Sequence, residues 1–285
     1  MKRIKLASAA VLIVLGAARA VAADLAVKAP PVAPAAPAYS WTGFYVGANG
    51  GYGFADPTVG FTPNNLAAVD ATSGFAGGTL PPSVSFTASG GLGGLQAGYN
   101  WQFDPRWVAG LEADFDWSDI KGTGTSNFFL NGPASNLQGT SKIASFGTVR
   151  ARLGWLANND LLLFGSGGFA YGHIEENTVL NTAPGNALGA AGSAFSCPAG
   201  ANCFLGSSAR TLMGWTLGAG LEYAFWRNLS LKAEYLFVDL GPGMTVNTVA
   251  QATVGGGSPS PAVFVANYSS VTFHVVRAGL NWKFN

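Results

Sequence analysis

Charge is scarce in this chain. Asp, Glu, Lys and Arg make up 10% of its 285 residues, against about 25% in an ordinary soluble domain. Histidine is scarcer, with His173 and His274 the only two, which leaves little for a metal centre or a histidine-based acid–base site. There are two cysteines, Cys197 and Cys203, and they form no C-x-x-C pair. No P-loop motif occurs. We therefore expect no metal, no cofactor and no enzymatic activity. After Gly16 no apolar run reaches about 18 residues, which excludes a membrane-spanning helix. Yet hydrophobic residues are an ordinary 48%, and glycine is plentiful at 40. Ordinary apolar content with little charge describes a chain that does not face water on every side. In lipid the other spanning solution is a closed β-barrel, because every backbone N–H and C=O must be paired within the protein.

The N-terminus reads as a secretory signal, residues 1–22. Lys2, Arg3 and Lys5 form a positive start, Leu6 to Gly16 is apolar apart from Ser8, and Ala20-Val21-Ala22 places cleavage between Ala22 and Ala23. Losing Lys2, Arg3, Lys5 and Arg19 leaves 11 basic against 14 acidic residues, a net of −3. No basic patch remains for nucleic acid. Residues 23–40 form a linker in which Pro30, Pro31, Pro34 and Pro37 alternate with Ala. Proline fixes φ and lacks the amide donor, so the linker favours an extended form reaching ~50 Å.

From residue 41 to 285 the chain alternates segments of period-2 hydrophobicity with turns or long loops. Eight such segments start near Gly43, Gly90, Trp107, Ile143, Leu161, Thr211, Leu229 and Val271. The second sets Leu95, Ala97, Tyr99, Trp101 and Phe103 against Gly94, Gln96, Gly98, Asn100 and Gln102. The faces of the fifth, an unbroken apolar run at its start, cannot be assigned. Strict alternation gives each strand one apolar and one polar face. A soluble sandwich and a membrane barrel both satisfy that, and three features favour the barrel. Tight turns at Asp104-Pro105-Arg106, Asn158-Asn159-Asp160 and Trp226-Arg227-Asn228 alternate with long loops at 54–89, 118–142, 175–210 and 241–267. Aromatics gather at both strand ends, as at a bilayer's two interfaces. Charges within the strands share the inward faces: Glu112, Asp114, Asp116, Glu222 and Glu234 against Arg150, Arg152, Lys232, Arg277 and Lys283. Buried together, opposite charges must pair. The expected fold is all-β, an eight-stranded antiparallel transmembrane up-and-down barrel in the outer membrane.

A set of motifs carries a family resemblance: Trp41-Thr42-Gly43-Phe44-Tyr45-Val46-Gly47, Gly98-Tyr99-Asn100-Trp101-Gln102, Thr148 to Trp155, Leu221-Glu222-Tyr223, Leu231 to Tyr235, and Val276 to Phe284. The chain resembles the small outer-membrane barrels of the OmpA-transmembrane-domain and opacity-protein type, and most of all the porin-family surface barrels of alphaproteobacteria. The resemblance implies outer-membrane lipid as the surroundings. It also implies recognition of the C-terminal strand by the barrel-assembly machinery, although family members usually end on an aromatic and here Asn285 follows Phe284. Related chains that begin Ala-Asp are joined to peptidoglycan, and a mature Ala23-Asp24-Leu25 start matches them.

Eight strands leave an interior just wide enough for side chains, so the paired charges are expected to plug it. The main reading is a structural and surface-contact protein. The alternative is a narrow, weakly conducting channel, since the inner faces of the second and sixth segments are rich in glycine. Two further readings are a haem-binding surface protein and a membrane enzyme of the lipid A-modifying or phospholipase kind. For the last, Ser166, His173, Glu175 and Glu176 are the residues a triad would draw on. His274 falls on the lipid-facing parity. Cys197 and Cys203 are expected to form a disulfide in the third long loop, in an oxidising compartment.

Overall fold

The computed structural model describes residues 39–64, 83–129, 134–182, 202–250, 253–254, 258–259 and 263–284. The signal peptide, its cleavage point at Ala22 and Ala23, the linker as far as residue 38, Cys197 and Asn285 lie outside the described residues. The strands are β1 (Gly43–Ala55), β2 (Thr58–Asn64), β3 (Ser83–Ser85), β4 (Ala88–Asp104), β5 (Trp107–Phe129), β6 (Ala134–Asn158), β7 (Leu161–Thr182), β8 (Asn202–Ala224), β9 (Leu229–Asp239), β10 (Thr245–Asn247), β11 (Val249–Ala250), β12 (Thr253–Val254), β13 (Ser258–Pro259), β14 (Val263–Tyr268) and β15 (Thr272–Lys283).

Eight of them close a ring. The hydrogen-bonded order β8-β7-β6-β5-β4-β1-β15-β9 returns on itself because β9 also pairs with β8. All eight pairings are antiparallel. Each of the eight expected segments supplies one of these strands. The register follows from the side chains. Across β4 and β5, Leu95 faces Phe115, Ala97 faces Ala113 and Tyr99 faces Leu111, while Gln96 faces Asp114 and Gly98 faces Glu112. A one-residue slip would turn the two carboxylates into lipid, so the alternation fixes the pairing. Leu95, Leu111, Val149, Met213, Leu217, Leu231 and Leu280 are all exposed on the outside of the ring.

Three tight turns join strands on one side of the ring. In the first, Arg106 N–H donates to Asp104 Oδ1 at 3.0 Å. In the second, Asn158 Oδ1 accepts from the N–H groups of Asp160 and Leu161 at 3.0 and 2.8 Å. In the third, Trp226 and Leu229 exchange backbone hydrogen bonds at 3.3 Å. Outer-membrane barrels keep short turns in the periplasm, which sets the orientation. Exposed Trp101, Phe103, Trp107, Trp155, Tyr223, Phe225, Trp226, Trp282 and Phe284 ring that end. Tyr52, Phe54, Trp117, Phe169, Trp215 and Tyr235 ring the other. These are the two interfacial belts.

The long connections depart from expectation. β5, β6, β7 and β8 run 23, 25, 22 and 23 residues, about twice what a tilted strand needs to cross the bilayer. Much of 118–142 and 175–210, expected as loop, therefore continues the barrel wall. Above its charged base, its outer face is mainly Thr, Asn, Gln and Ser in water, so hydropathy hides the alternation. The inner face still carries Leu137, Leu180 and Phe204, all buried. A four-stranded sheet in the order β10-β14-β2-β3 comes from the first and last long connections. Gly124 of β5 lies against the side chains of Val84 and Phe86 at its β3 edge, and β11 pairs with β8 near the other edge. Strands thus continue the ring beyond the membrane.

The filled barrel interior as candidate functional site

The interior is built in layers. At the periplasmic end the chain entering β1 folds across the mouth. Trp41 is 1% exposed and packs with Val108, Leu156, Leu162, Ala224 and Tyr39. Its indole N–H reaches Asn159 O, in the second tight turn, at 3.0 Å. Gln102 secures the segment, accepting from Trp41 N–H at 3.4 Å and donating its own N–H to Thr42 Oγ1 at 3.0 Å. Gly43 then turns the chain into the strand with φ 143°, and a Cβ there would press on Phe284 O. That combination favours glycine. Tyr39 and Ser40, the last two residues of the segment read as linker, lie at this closure.

The charge network fills the next layer. Arg150, on β6, is the hub. Its Nη2 donates to Glu112 Oε1 at 2.5 Å and Asp114 Oδ2 at 2.8 Å, and its Nη1 pairs with Glu234. Thr148 Oγ1 accepts from Arg150 Nε at 2.8 Å and donates to Asp114 at 2.7 Å. Arg277, from β15, reaches Asp116 at 2.6 Å, Asp114 at 2.8 Å and Glu234 at 3.0 Å. Lys232 Nζ lies 2.7 Å from Glu112 and 3.4 Å from Glu234. Nearer the mouth, Arg152 donates to Glu222 at 2.6 Å and stands 3.4 Å from Glu112, with Tyr45 OH donating to Glu112 Oε2 at 2.7 Å. Ser230 and Asn281 donate to the other oxygen of Glu222. All nine charged side chains are buried. Each carboxylate has at least one cation, as burial of charge requires.

Lys283 corrects the expected five-by-five pairing. It is buried, but it makes no ion pair among the described residues; its ammonium donates to the backbone carbonyls of Ser40 and, at 3.4 Å, Thr42, and it lies over the Tyr39 ring at 4.7 Å. The reason is depth: Lys283 is the last residue of β15, level with the periplasmic closure and below the carboxylates. Sequence parity gives the face of a residue but not what enters the lumen beside it.

Above the charges the lumen turns apolar. Ile120, Ile143, Phe146, Ile174, Leu236, Val238, Phe273 and Val275 form a buried cluster. Phe146 and Phe273 meet edge to face at 5.2 Å. This is why the fifth segment shows no alternation: β7 turns Leu162, Ala170 and Ile174 into the two apolar layers and sets Phe164 under the Arg152 guanidinium, while further apolar residues face outward. Further out, Val59, Val84, Val246, Ala266 and Tyr268 fill the extension.

One buried acid stands apart. Glu176 points into the extension, beyond the membrane, beside a cavity of about 20 Å³ lined with Ser141, Ser269 and Thr272. Its Oε2 has no hydrogen-bond partner among the described residues. Burial pushes its carboxyl up from the usual 4.5 to about 8, against the lowering effect of one bond to the Met244 backbone. The folded state therefore holds a proton that the unfolded chain has lost, so stability falls as pH rises from about 4.5 to about 8. Glu176→Gln is expected to flatten that pH dependence in the protease resistance of the extension. An unchanged slope would show that another group titrates.

The residues a triad would use do not meet. Ser166 faces the lumen and accepts from Arg150 Nη1 at 2.9 Å. His173 faces outward, 3.5 Å from Thr211 Oγ1. Glu175 is held outside by Lys142 at 3.3 Å, and Glu176 is inside. His274 lies on the outer surface, its Nδ1 2.6 Å from Tyr235 OH. Cys203 is buried and disulfide-bonded; Cys197 lies outside the described residues.

This ring, with its two aromatic belts and lipid-facing outer wall, agrees with what sequence comparison finds. The outer membrane protein beta-barrel domain family matches residues 8–284. The chain belongs to that family. It is 38% identical over 291 residues, across 100% of both chains, to the 31 kDa outer-membrane immunogenic protein of Brucella melitensis. It is 28% identical to the 22 kDa outer membrane protein of Rhizobium leguminosarum, covering 73% of this chain and 68% of that one. Among solved structures it is similar to Ail, the attachment invasion locus protein of Yersinia pestis, at 13% identity and a TM-score of 0.31, over 85% of this chain and 99% of that one. The protein is an outer-membrane β-barrel.

Proposed function

We propose that this barrel is a closed structural element of the outer membrane that presents a surface outside the cell, and not a channel or an enzyme. The observation that carries the reading is the stacking of three fillings along one lumen: the Trp41 closure, the ion-pair network and the apolar cluster. Ions crossing it would have to part buried charge pairs and then pass a layer offering no polar contact. The relative from Brucella is named as immunogenic, which suits a family member with exposed external parts.

The linker supports the structural role. A mature start at Ala23-Asp24 would be joined to peptidoglycan, with the Pro-rich segment as a spacer of ~50 Å. Boiling in detergent should then leave part of the protein on the sacculus until muramidase frees it. Complete extraction with an unmodified Ala23 terminus would reject the attachment.

A cellular test addresses the whole reading. Deleting the gene should increase blebbing and periplasmic leakage without slowing uptake of small hydrophilic solutes. The full chain should restore the envelope, and a chain lacking 23–38 should restore it poorly. Slower solute uptake with an intact envelope would instead favour the narrow channel.

A further inference from the structure

Among the described residues, the outer wall of the external extension carries no charge above its base. In the sequence, Asp70 is the only Asp, Glu, Lys or Arg between 57 and 103, and 122–141, 177–209 and 240–276 contain none. Water-facing surfaces ordinarily draw about a quarter to a third of their residues from these four types. The described outer faces carry hydroxyls and amides instead, in ladders: Thr123 with Thr140 at 2.9 Å, Thr58 with Ser85 at 2.8 Å, Asn267 with Thr62 at 3.2 Å. Charge returns at the base, where Lys121 pairs with Asp119 at 3.1 Å and Lys142 with Glu175 at 3.3 Å.

Height and symmetry say what such a wall faces. About a dozen residues of each long strand lie beyond the membrane, which carries the wall some 30 Å outward at the usual rise and tilt. A protein partner needs one patch on one side. Here the neutral character runs round the described circumference, through β5, β6, β7, β8, β14 and β2, so the matching partner is one that surrounds the barrel. The saccharide chains of neighbouring lipopolysaccharide have that geometry. They are rich in hydroxyls, and a neutral chain gains nothing from protein charges that would have to be desolvated on contact.

The wall also holds a groove of suitable make. It measures about 420 Å³ and is lined by Asn177, Val179, Leu205, Ser207, Asn247 and Val249. Amides and a hydroxyl stand beside three aliphatic side chains, with Leu205 and Val249 exposed. A sugar ring presents the complement, hydroxyls at its edge and C–H groups on its face.

We infer that the extension is a collar for neutral lipopolysaccharide sugar chains anchored in the same leaflet, with the groove between β7, β8 and β11 seating a ring. The collar names the partner for the surface role proposed above and rests on that reading. Saccharide packed against the collar would brace the extended hairpins without any change in the lumen.

Hydrogen exchange of the full-length protein tests it, in bilayers of phospholipid alone, of lipopolysaccharide with core sugars only, and of lipopolysaccharide bearing a neutral polysaccharide chain. If the anchored chain stands at about four times its dissociation constant, exchange of the β8 and β11 amides around Leu205 and Val249 slows about fivefold, in the third bilayer only. The double variant Asn177→Asp with Asn247→Asp should lose that slowing while remaining folded and heat-modifiable on a gel. Equal exchange in all three bilayers would overturn the collar. So would full slowing with core sugars alone, which assigns the contact to the charged base, or equal slowing by the same polysaccharide free in solution over phospholipid. A conducting barrel would reveal itself in phospholipid alone, so the collar and the closed-barrel reading fail separately.

Discussion

Replacing Arg150 with alanine will destabilise the folded barrel by about 3–5 kcal/mol. The size follows from what the guanidinium touches. Arg150 pairs with Glu112, Asp114 and Glu234, all buried in the membrane-spanning lumen. Alanine leaves these carboxylates facing one another, with only Lys232, Arg277 and, for Glu112, Arg152 to hold them. Buried carboxylates that lose a cation keep the cost of leaving water and lose part of the attraction that offset it. Glu234→Gln, made in the Arg150→Ala background, should recover part of the loss, with a coupling of about 1–3 kcal/mol in the double-mutant cycle. Urea unfolding in phospholipid vesicles, followed by heat-modifiable migration, reads all four corners. Additive effects of the two changes would mean that the network is a set of independent contacts.

Trp41→Ala should cost a further large amount, about 3–5 kcal/mol. Trp41 is the largest side chain of the periplasmic closure, and its indole bridges the mouth to Asn159. Phenylalanine keeps most of the burial and loses the one hydrogen bond, so Trp41→Phe should cost only about 1–2 kcal/mol. The order of the two variants is the diagnostic. Equal and small losses would mean that residues 39–42 merely rest against the mouth.

The sequence carries the fold because one physical fact is written in strand after strand. Leu95, Ala97 and Tyr99 on one parity and Gln96 and Asn100 on the other demand an apolar and a polar side, and the turn pattern, aromatic belts and balanced inward charges make these lipid and a filled interior. The inward charges were readable for the same reason, since Glu112, Arg150 and Arg277 share their strands' polar parity. What escaped reading lacked that contrast. β7 is apolar on both faces over its first residues, because its inner face fills both apolar layers. The extended ends of β5 to β8 are polar outside with glycine and serine among their inner positions, so they read as loop. Trp41 reads as a family motif residue, and nothing in its neighbours says that it crosses the barrel mouth. Lys283 obeys parity and still misses the network, because the Tyr39 to Thr42 segment occupies the lumen at its level.

The most direct test of the closed barrel is single-channel recording in planar bilayers with full-length protein shown to be folded by heat-modifiable migration. The stacked fillings predict a membrane current indistinguishable from the protein-free bilayer at moderate voltage. They further predict discrete openings only when all three layers are breached, as by Arg150→Ala and Trp41→Ala combined with Phe146→Ala. Steady, reproducible steps from the unaltered protein would contradict the account.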